Sequence, residues 1–158
     1  MRISSYSRKS IEKLLQGKFP GNTAVISFYD PPGKFRDTEY KPVDYSAKAD
    51  RVFQVALHDI DPVVLPKYHL TYEEYFPEAD DLAEFIFAAK REGKDIICQC
   101  EYGESRSSGC AAAIREYFYK DGINIFADYR YYPNQMVYQK VYDALEKYEN
   151  NVVKERGK

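Results

Sequence analysis

The chain is predicted to be an α/β protein with a central, mostly parallel sheet flanked by helices. Apolar, strand-like runs alternate along the sequence with stretches that have helical spacing. One such run, residues 52–57, is apolar at nearly every position, which is typical of a strand whose two faces are both buried. Alternation of strands and helices favours parallel strands joined by helical connections.

The first half of the chain contains two predicted strands. A short helix over residues 10–16 precedes the first strand, residues 23–29, which ends at a proline-rich turn. A polar, irregular segment, 34–50, leads to the second strand, 52–57. The loop over residues 58–70 follows this strand and holds two prolines.

The second half contains a third predicted strand and three helices. The first helix has an apolar face that includes Leu82, Ile86 and Ala89, and Gly93 ends it. The remaining predicted elements are a strand and two helices, at residues 95–100, 107–120 and 133–150.

The length and composition indicate one domain. Residues 1–158 are predicted to fold as a unit, with frayed ends over 1–5 and 151–158. A net charge of −2 without a basic stripe gives no case for a nucleic-acid partner. No membrane partner is expected, because no apolar run approaches membrane-spanning length and no signal-peptide pattern opens the chain. Three cysteines, one of them in a nucleophile-like loop, favour a reducing, cytoplasmic compartment.

The segment from Cys100 to Ser107 carries the strongest chemical signal. It follows a predicted strand and leads into small residues at the start of a predicted helix. A loop of this length can curl so that its backbone N–H groups point inward, and such a nest at a helix N-terminus binds a dianion. Arg106 would bind two phosphate oxygens, and Cys100 would lie below the phosphorus as the nucleophile. The predicted phosphate-binding residues are therefore Glu101, Tyr102, Gly103, Glu104, Ser105 and Arg106.

The order Cys, five residues, Arg, Ser resembles the signature loop of cysteine-dependent protein tyrosine phosphatases. Its Gly-x-Ser-Arg-Ser ending is most similar to the dual-specificity branch and its small bacterial relatives. The resemblance implies a phosphotyrosine-phosphatase-like fold and hydrolysis of phosphotyrosine, phosphoserine or phosphothreonine in proteins. In that family a His usually precedes the Cys and helps to keep the thiol ionised. Here that residue is Gln99, which cannot carry charge and so implies a less favoured thiolate.

A general acid is needed because the thiolate must expel an alkoxide or phenoxide. A carboxylic acid at the leaving oxygen typically accelerates such a step by about 10²–10⁴. The phosphatase family uses an Asp on a loop after an upstream strand, and Asp59 is the first Asp past residues 52–57. Asp59 is therefore the predicted acid and Asp61 the alternative, although both also suit ordinary loop and capping roles.

The resemblance implies a mechanism through a cysteinyl-phosphate intermediate. Asp59 would protonate the leaving oxygen and then activate water, while Ser107 would hydrogen-bond the departing thiolate. No cofactor and no metal are expected, because the loop and Arg106 supply the charge stabilisation. The Cys98-x-Cys100 spacing with His58 does not match common zinc patterns.

Three functions remain open at the level of sequence. The first is the phosphatase, acting on a phosphorylated protein or a small phosphomonoester and accepting phosphate, sulfate, vanadate or tungstate as site ligands. The second is a pseudophosphatase that binds phosphate or phosphoproteins with little turnover, which the replacement of His by Gln99 motivates. The third is a low-molecular-weight phosphatase or arsenate reductase, ranked last because those enzymes place the loop near the N-terminus.

Overall fold

The computed structural model describes residues 1–33, 41–46 and 48–157, so part of the predicted irregular segment at 34–50 lies outside the described residues. The strands are β1 Ile3–Tyr6, β2 Thr23–Tyr29, β3 Arg51–Ala56 and β4 Asp95–Gln99. The helices are α1 Arg8–Gln16, α2 Ala79–Arg91, α3 Arg106–Tyr119, α4 Ile123–Phe126 and α5 Gln135–Arg156, with a 3-10 turn at Leu65–Tyr68.

The four described strands form one sheet in the order β1-β4-β2-β3, and every pair in it is parallel. The predicted α/β class with a parallel central sheet is therefore confirmed. The two inner strands, β2 and β4, are buried along almost their whole length, as their apolar sequences require. Because all strands run the same way, the loops that follow them open on one edge of the sheet.

Helices cover both faces of this sheet and create two cores. The smaller core lies under α1, where Ile11 packs with Val25 and Ile97. The larger core lies under α2, α3 and α5. Helix α3 is buried from Arg106 to Ile114, and its small residues allow this position. At Gly109 an added Cβ would lie 2.5 Å from the backbone oxygen of Asn134, so glycine permits α3 to approach the start of α5.

The prediction of frayed ends is wrong for most of both segments. Residues Ile3–Tyr6 pair with β4 as the fourth strand, because β4 would otherwise leave one edge of its backbone unpaired. Helix α5 runs to Arg156, well past the predicted end at residue 150. Its side chains Val141, Ala144 and Leu145 are buried against the larger core. Among the described residues, no helix has both the length and the apolar character needed to cross a membrane.

Candidate active site

The residues that follow the four strands meet at one edge of the sheet. Ser7 follows β1, Asp30 follows β2, Leu57 follows β3 and Cys100 follows β4. The segment from Cys100 to Ser105, which we call the phosphate loop, connects β4 to the N-terminus of α3. The strand–loop–helix context predicted for the signature sequence is thus present, and β4 and α3 fix its two ends.

Cys100 lies at the base of the phosphate loop and is only 2% exposed. Its Sγ lies 3.1 Å from Oγ of Ser107, the contact that the resemblance implied. The hydroxyl of Ser107 lies 2.6 Å from Oγ of Ser5, and the Ser5 hydroxyl donates to the carbonyl of Gly103 at 2.9 Å. A continuous chain of polar contacts thus links the sulfur to β1 and back to the loop.

The number of protons available along this chain of polar contacts indicates whether the contacts are compatible with a thiol or with a thiolate at Cys100. Each hydroxyl has one proton to donate. Since Ser5 donates to Gly103, Ser107 must donate to Ser5, and the thiol of Cys100 then donates to Ser107. This arrangement suits a protonated thiol. If the sulfur of Cys100 were ionised, the Ser107 hydroxyl would donate to the sulfur. Ser5 could then donate its one proton either to Ser107 or to the Gly103 carbonyl.

The carbonyl groups of the phosphate loop face outward, towards donors from the surrounding structure. Three of these donors are side chains. Gln99 Nε2 donates to the carbonyl of Cys100 at 2.9 Å, Ser5 Oγ donates to that of Gly103, and Ser108 Oγ donates to that of Glu104 at 2.5 Å. Backbone amides supply further donors: those of residues 8, 132 and 134 bind the carbonyls of residues 101, 104 and 105 at 3.0, 2.8 and 3.0 Å, and that of Gly109 also binds the carbonyl of residue 105, at 2.9 Å.

These outward carbonyls fix the direction of the loop's amides. In a trans peptide the C=O and the following N–H point in opposite directions, and the described residues contain no cis peptide. The amides that follow the five anchored carbonyls therefore point away from the anchoring donors. They belong to Glu101, Tyr102, Glu104, Ser105 and Arg106. Such a set of N–H groups at a helix N-terminus is suited to a tetrahedral anion.

Gly103 lies where the loop packs against the end of β1. Its φ is +70°, a conformation that L side chains rarely adopt. An added Cβ would lie 2.5 Å from the backbone N of Ser7 and 2.7 Å from the backbone C of Tyr6. The predicted need for glycine at this turn thus has two independent causes, the dihedral angle and the space.

Arg106 is buried, with 4% of its surface exposed, at the first position of α3. Its Nη1 donates to the carbonyl of Leu57 at 2.8 Å and forms an ion pair with Oδ1 of Asp30 at 2.7 Å. Its Nε has no hydrogen-bond partner among the described residues. A buried guanidinium donor without a partner is costly, and a phosphate oxygen would satisfy it.

Asp59, the predicted acid, lies on the loop after β3 and is exposed. Its Oδ1 accepts from Ser105 Oγ at 2.7 Å and from Asn134 Nδ2 at 2.9 Å. Asn134 also donates to the carbonyl of Ile60 at 3.0 Å and caps α5 through Val137 N. Asp59 is therefore joined directly to the phosphate loop and to the start of α5.

Asp61, the alternative acid, has a different environment. Its Oδ1 accepts from the backbone N–H groups of Val63 and Val64 at 2.9 and 3.2 Å. This pattern caps the turn that leads to the 3-10 turn at Leu65–Tyr68. Asp61 therefore caps a turn, whereas Asp59 contacts the phosphate loop through Ser105.

The side chains of the phosphate loop lie mostly outside it. Tyr102 is 78% exposed and Glu104 is also exposed. Glu101 is half-buried and lies 3.8 Å from the guanidinium of Arg8. These side chains therefore lie on the outer rim of the loop.

The other cysteines are not part of this chain of contacts. Cys98 and Cys110 are both fully buried in the larger core. Burial raises the pKa of the Cys98 thiol well above its usual value, and contact with Cys110 adds to the effect. Within the described ranges, no group of three or more His, Cys, Asp or Glu side chains could hold a metal ion.

Several solved structures are similar to this chain over nearly its whole length. The human tyrosine phosphatase-like serine/threonine/tyrosine-interacting protein has a TM-score of 0.52 and 16% identity, covering 93% of this chain and 87% of its own. Human DUSP28 has a TM-score of 0.52 and 14% identity, covering 94% of both chains. PTPMT1 has a TM-score of 0.51 and 13% identity, covering 97% of this chain and 95% of its own.

The chain has the fold of the cysteine-dependent protein tyrosine phosphatases. This confirms the fold that the signature loop implied. No protein-family model matches the sequence, and no curated protein matches it either. The likeness therefore lies in three-dimensional structure, at sequence identities of 12–16%.

Within this phosphatase fold, four residues around the loop were not identified from the sequence. Asp30 pairs with Arg106, Ser5 supports Ser107, Asn134 holds Asp59, and Tyr45 contacts Gln99. Asp30 offered one usable signal, because it directly follows a strand and such positions share the functional edge of a parallel sheet. The other three act through contacts between distant parts of the chain.

Proposed function

We propose that this chain is a phosphomonoester hydrolase that works through a cysteinyl-phosphate intermediate. The observation that carries the proposal is the buried Arg106, whose Nη1 is held by Asp30 and Leu57 while Nε lacks a partner among the described residues. A guanidinium held on one side is preorganised to bind a phosphoryl group on the other. The phosphatase fold and the outward carbonyls of the loop support the same function.

In the proposed reaction the Cys100 thiolate attacks phosphorus in line with the leaving oxygen. The loop amides and Arg106 bind the three other phosphoryl oxygens, whose charge is spread in the transition state. Asp59 gives its proton to the leaving oxygen, and the bond between phosphorus and that oxygen breaks. Among the described residues, both donors to Asp59 bind its Oδ1, so we assign the transferred proton to Oδ2.

The second half of the reaction restores the enzyme. The ionised Asp59 takes a proton from water, which attacks the phosphorus of cysteinyl-phosphate and releases the sulfur as a thiolate. Ser107, 3.1 Å from Sγ, donates its hydrogen bond to the departing thiolate. Inorganic phosphate leaves the loop. No step requires a cofactor.

We infer that the substrate is a phosphorylated protein, on tyrosine or on serine and threonine. A crystal structure similar to this one is of PTPMT1 in complex with PI(5)P, with a TM-score of 0.51 and 12% identity. In this chain the loop carries Glu101 and Glu104 at its rim and has no Lys, which opposes a ligand with several negative charges. A small phosphomonoester would also fit the chemistry of the loop.

Turnover of p-nitrophenyl phosphate by the purified chain tests the enzyme proposal. We expect Cys100→Ser to abolish hydrolysis and Cys98→Ser, a matched change in the core, to retain it. Asp59→Asn should lower kcat more than Asp61→Asn does, by about 10²–10⁴ if Asp59 is the acid. The reverse order would assign the acid role to Asp61.

The alternative function is a phosphate- or phosphoprotein-binding pseudophosphatase. It is favoured by the replacement of the family's His by Gln99, and one of the similar structures is itself described as phosphatase-like. Vanadate or phosphate binding that depends on Arg106, without turnover at any pH between about 5 and 8, would support this alternative.

A further inference from the structure

The outer strand β1 has one edge that no described strand covers. The sheet order places β1 at one end, with β4 on its inner side. All residues of β1 are half-buried, whereas β2 and β4 are buried along almost their whole length. An open groove of about 700 Å³ adjoins this strand, and its lining includes Arg115 and Tyr119 of α3. The side of β1 that faces away from β4 is therefore accessible to another extended chain.

The backbone of β1 leaves polar groups along this open edge. The N–H of Ile96 donates to the carbonyl of Arg2 at 2.8 Å, so in the parallel register the even-numbered residues of β1 face β4. In a strand, successive residues direct their N–H and C=O groups to opposite sides. The N–H and C=O groups of Ile3 and Ser5 therefore point outward, and no backbone hydrogen bond of the described residues uses them. These groups need a partner or water.

Strand β1 lacks several features that commonly prevent an exposed edge from pairing. Its sequence, Ile-Ser-Ser-Tyr, contains no proline and no charged side chain, and its register with β4 runs without a bulge. The next helix, α1, leads away from the open edge, because Ile11 packs against Val25 and Ile97 in the inner strands. A net charge of −2 adds little repulsion between two copies of the chain.

We propose that β1 pairs with β1 of a second copy of this chain, antiparallel and about a two-fold axis at Ser4. In this register Ile3 lies opposite the partner's Ser5, and Ser5 lies opposite the partner's Ile3. Residues in such hydrogen-bonded pairs exchange both of their bonds, so every outward group of the two strands is satisfied. The two sheets then form one continuous sheet. This pairing goes beyond the proposed phosphatase function and does not depend on turnover.

The outward groups favour this register over its two neighbours. With the axis at Ile3, Ser5 would face the partner's Met1, which lies outside the strand. With the axis at Ser5, Ile3 would face the partner's Ser7. The carbonyl of Ser7 already accepts from the N–H of Ile11 at 3.0 Å. The proposed register is thus the one of the three that pairs all outward groups within the strand.

The side chains on the even-numbered face of β1 support the same register. Arg2, whose side chain is 93% exposed, would lie opposite the partner's Tyr6, and a guanidinium beside a tyrosine ring is a favourable contact. Its present ion pair with Asp95, at 3.5 Å, is exposed and contributes little. At the axis Ser4 would lie opposite the partner's Ser4, and two such small side chains fit a close pair whose Cα atoms are about 4.5 Å apart.

Amide hydrogen exchange measured by NMR tests the pairing in the unmodified chain. The N–H groups of Ser4 and Tyr6 face β4 and should exchange slowly at every concentration. Those of Ile3 and Ser5 should exchange about threefold more slowly at about 1 mM than at about 50 µM, because the dimer forms over this range. Sedimentation over the same range should show the mass rising from one chain towards two. A chain that stays monomeric would overturn the proposal and leave the edge to a strand of another protein. A dimer in which Ile3 and Ser5 stay unprotected would overturn it as well.

Opposite charges at the axis test the register. Ser4→Glu and Ser4→Lys should each dimerise about two- to fivefold more weakly than the unmodified chain, because each places like charges opposite each other. An equimolar mixture of the two variants should form mixed dimers at least as strongly as the unmodified chain. With the axis at Ile3, residue 4 would face the partner's Arg2, so Ser4→Lys alone would weaken the dimer. That result, or a mixture that stays monomeric, would refute the register.

Disulfide cross-linking gives a matched pair of variants on the same face of β1. Diamide takes two electrons and two protons from two thiols, which then form one disulfide. Ser4→Cys should form this bond between two copies, because a Cα separation of about 4.5 Å lies in the range of disulfides. Arg2→Cys is the control, since residue 2 faces the partner's Tyr6 and should stay uncrosslinked under the same brief treatment. Equal cross-linking of both variants would refute the pairing. If the unmodified chain lacked turnover, the proposed function would fail while these measurements still decided the pairing.

Discussion

Replacement of Gly103 by alanine should weaken the fold and empty the phosphate loop. The chain offers a matched control, since Gly93 has a φ of +68° and no atom within 4 Å of an added Cβ, whereas Gly103 has a φ of +70° and two backbone atoms within 2.7 Å. Both alanine variants therefore share the strain of the left-handed conformation. Only Gly103→Ala adds a backbone collision with Tyr6 and Ser7.

These two contributions have different sizes. Alanine in the left-handed region costs about 1–2 kcal/mol, which is the whole expected effect of Gly93→Ala. Forced overpacking adds about 1–3 kcal/mol, so Gly103→Ala should lose about 2–5 kcal/mol in the free energy of unfolding. For a chain of this length each kcal/mol lowers Tm by about 2–4 °C.

Urea unfolding of both variants measures the two free energies, and vanadate binding measures the state of the loop. We expect Gly93→Ala to bind vanadate like the unmodified chain and Gly103→Ala to bind it much more weakly, because the loop must move away from β1. Equal losses of stability, or unchanged vanadate binding by Gly103→Ala, would refute the close packing of the loop against Ser7.

Three further predictions follow from the surroundings of the loop. Asp30→Asn removes the charged partner of Arg106 but leaves an oxygen acceptor in its place. The variant should therefore bind vanadate about tenfold more weakly and lose about 1–3 kcal/mol in the free energy of unfolding measured in urea. An unchanged vanadate affinity would contradict this role of the ion pair. Iodoacetamide at pH 8 should modify Cys100 before Cys98, because burial raises the pKa of the Cys98 thiol. Peptide mass spectrometry measures the order of modification, and equal modification of the two cysteines would contradict the prediction. Burial also raises the pKa of several tyrosines, among them the deeply buried Tyr45 and Tyr75. Above about pH 10 the unfolded chain therefore loses protons that the folded chain keeps, and stability should fall as pH rises; absorbance at alkaline pH should show late ionisation of Tyr45 and Tyr75.

Local sequence patterns were sufficient where an element is long and buried. The predicted strand at residues 23–29 coincides with β2, and the helix predicted at 107–120 differs from α3 by one residue at each end. Strand β1 was missed because its four residues include two serines and none is fully buried. Helix α4 has only four residues, too few to show a helical period.

In the candidate site, too, some features could be predicted from the sequence and others could not. The loop from Cys100 to Arg106 could be predicted because its parts are adjacent in sequence and its chemistry depends on their spacing. The pairing of Arg106 with Asp30 could not, because it depends on β2 lying beside β4 in the sheet. The same holds for Asn134 and Asp59, which meet only because Gly109 lets α5 start against α3.

The first strand has a practical consequence for handling the protein. Ser5 supports Ser107, Tyr6 O accepts from Cys100 N at 3.3 Å, and Arg8 N holds the carbonyl of Glu101. Proteolysis or truncation in the first eight residues would therefore remove contacts that hold Ser107 and the backbone of the phosphate loop. Affinity tags and fluorescent fusions are better attached after α5, and a preparation that has lost its first residues should be checked by mass before its inactivity is attributed to chemistry.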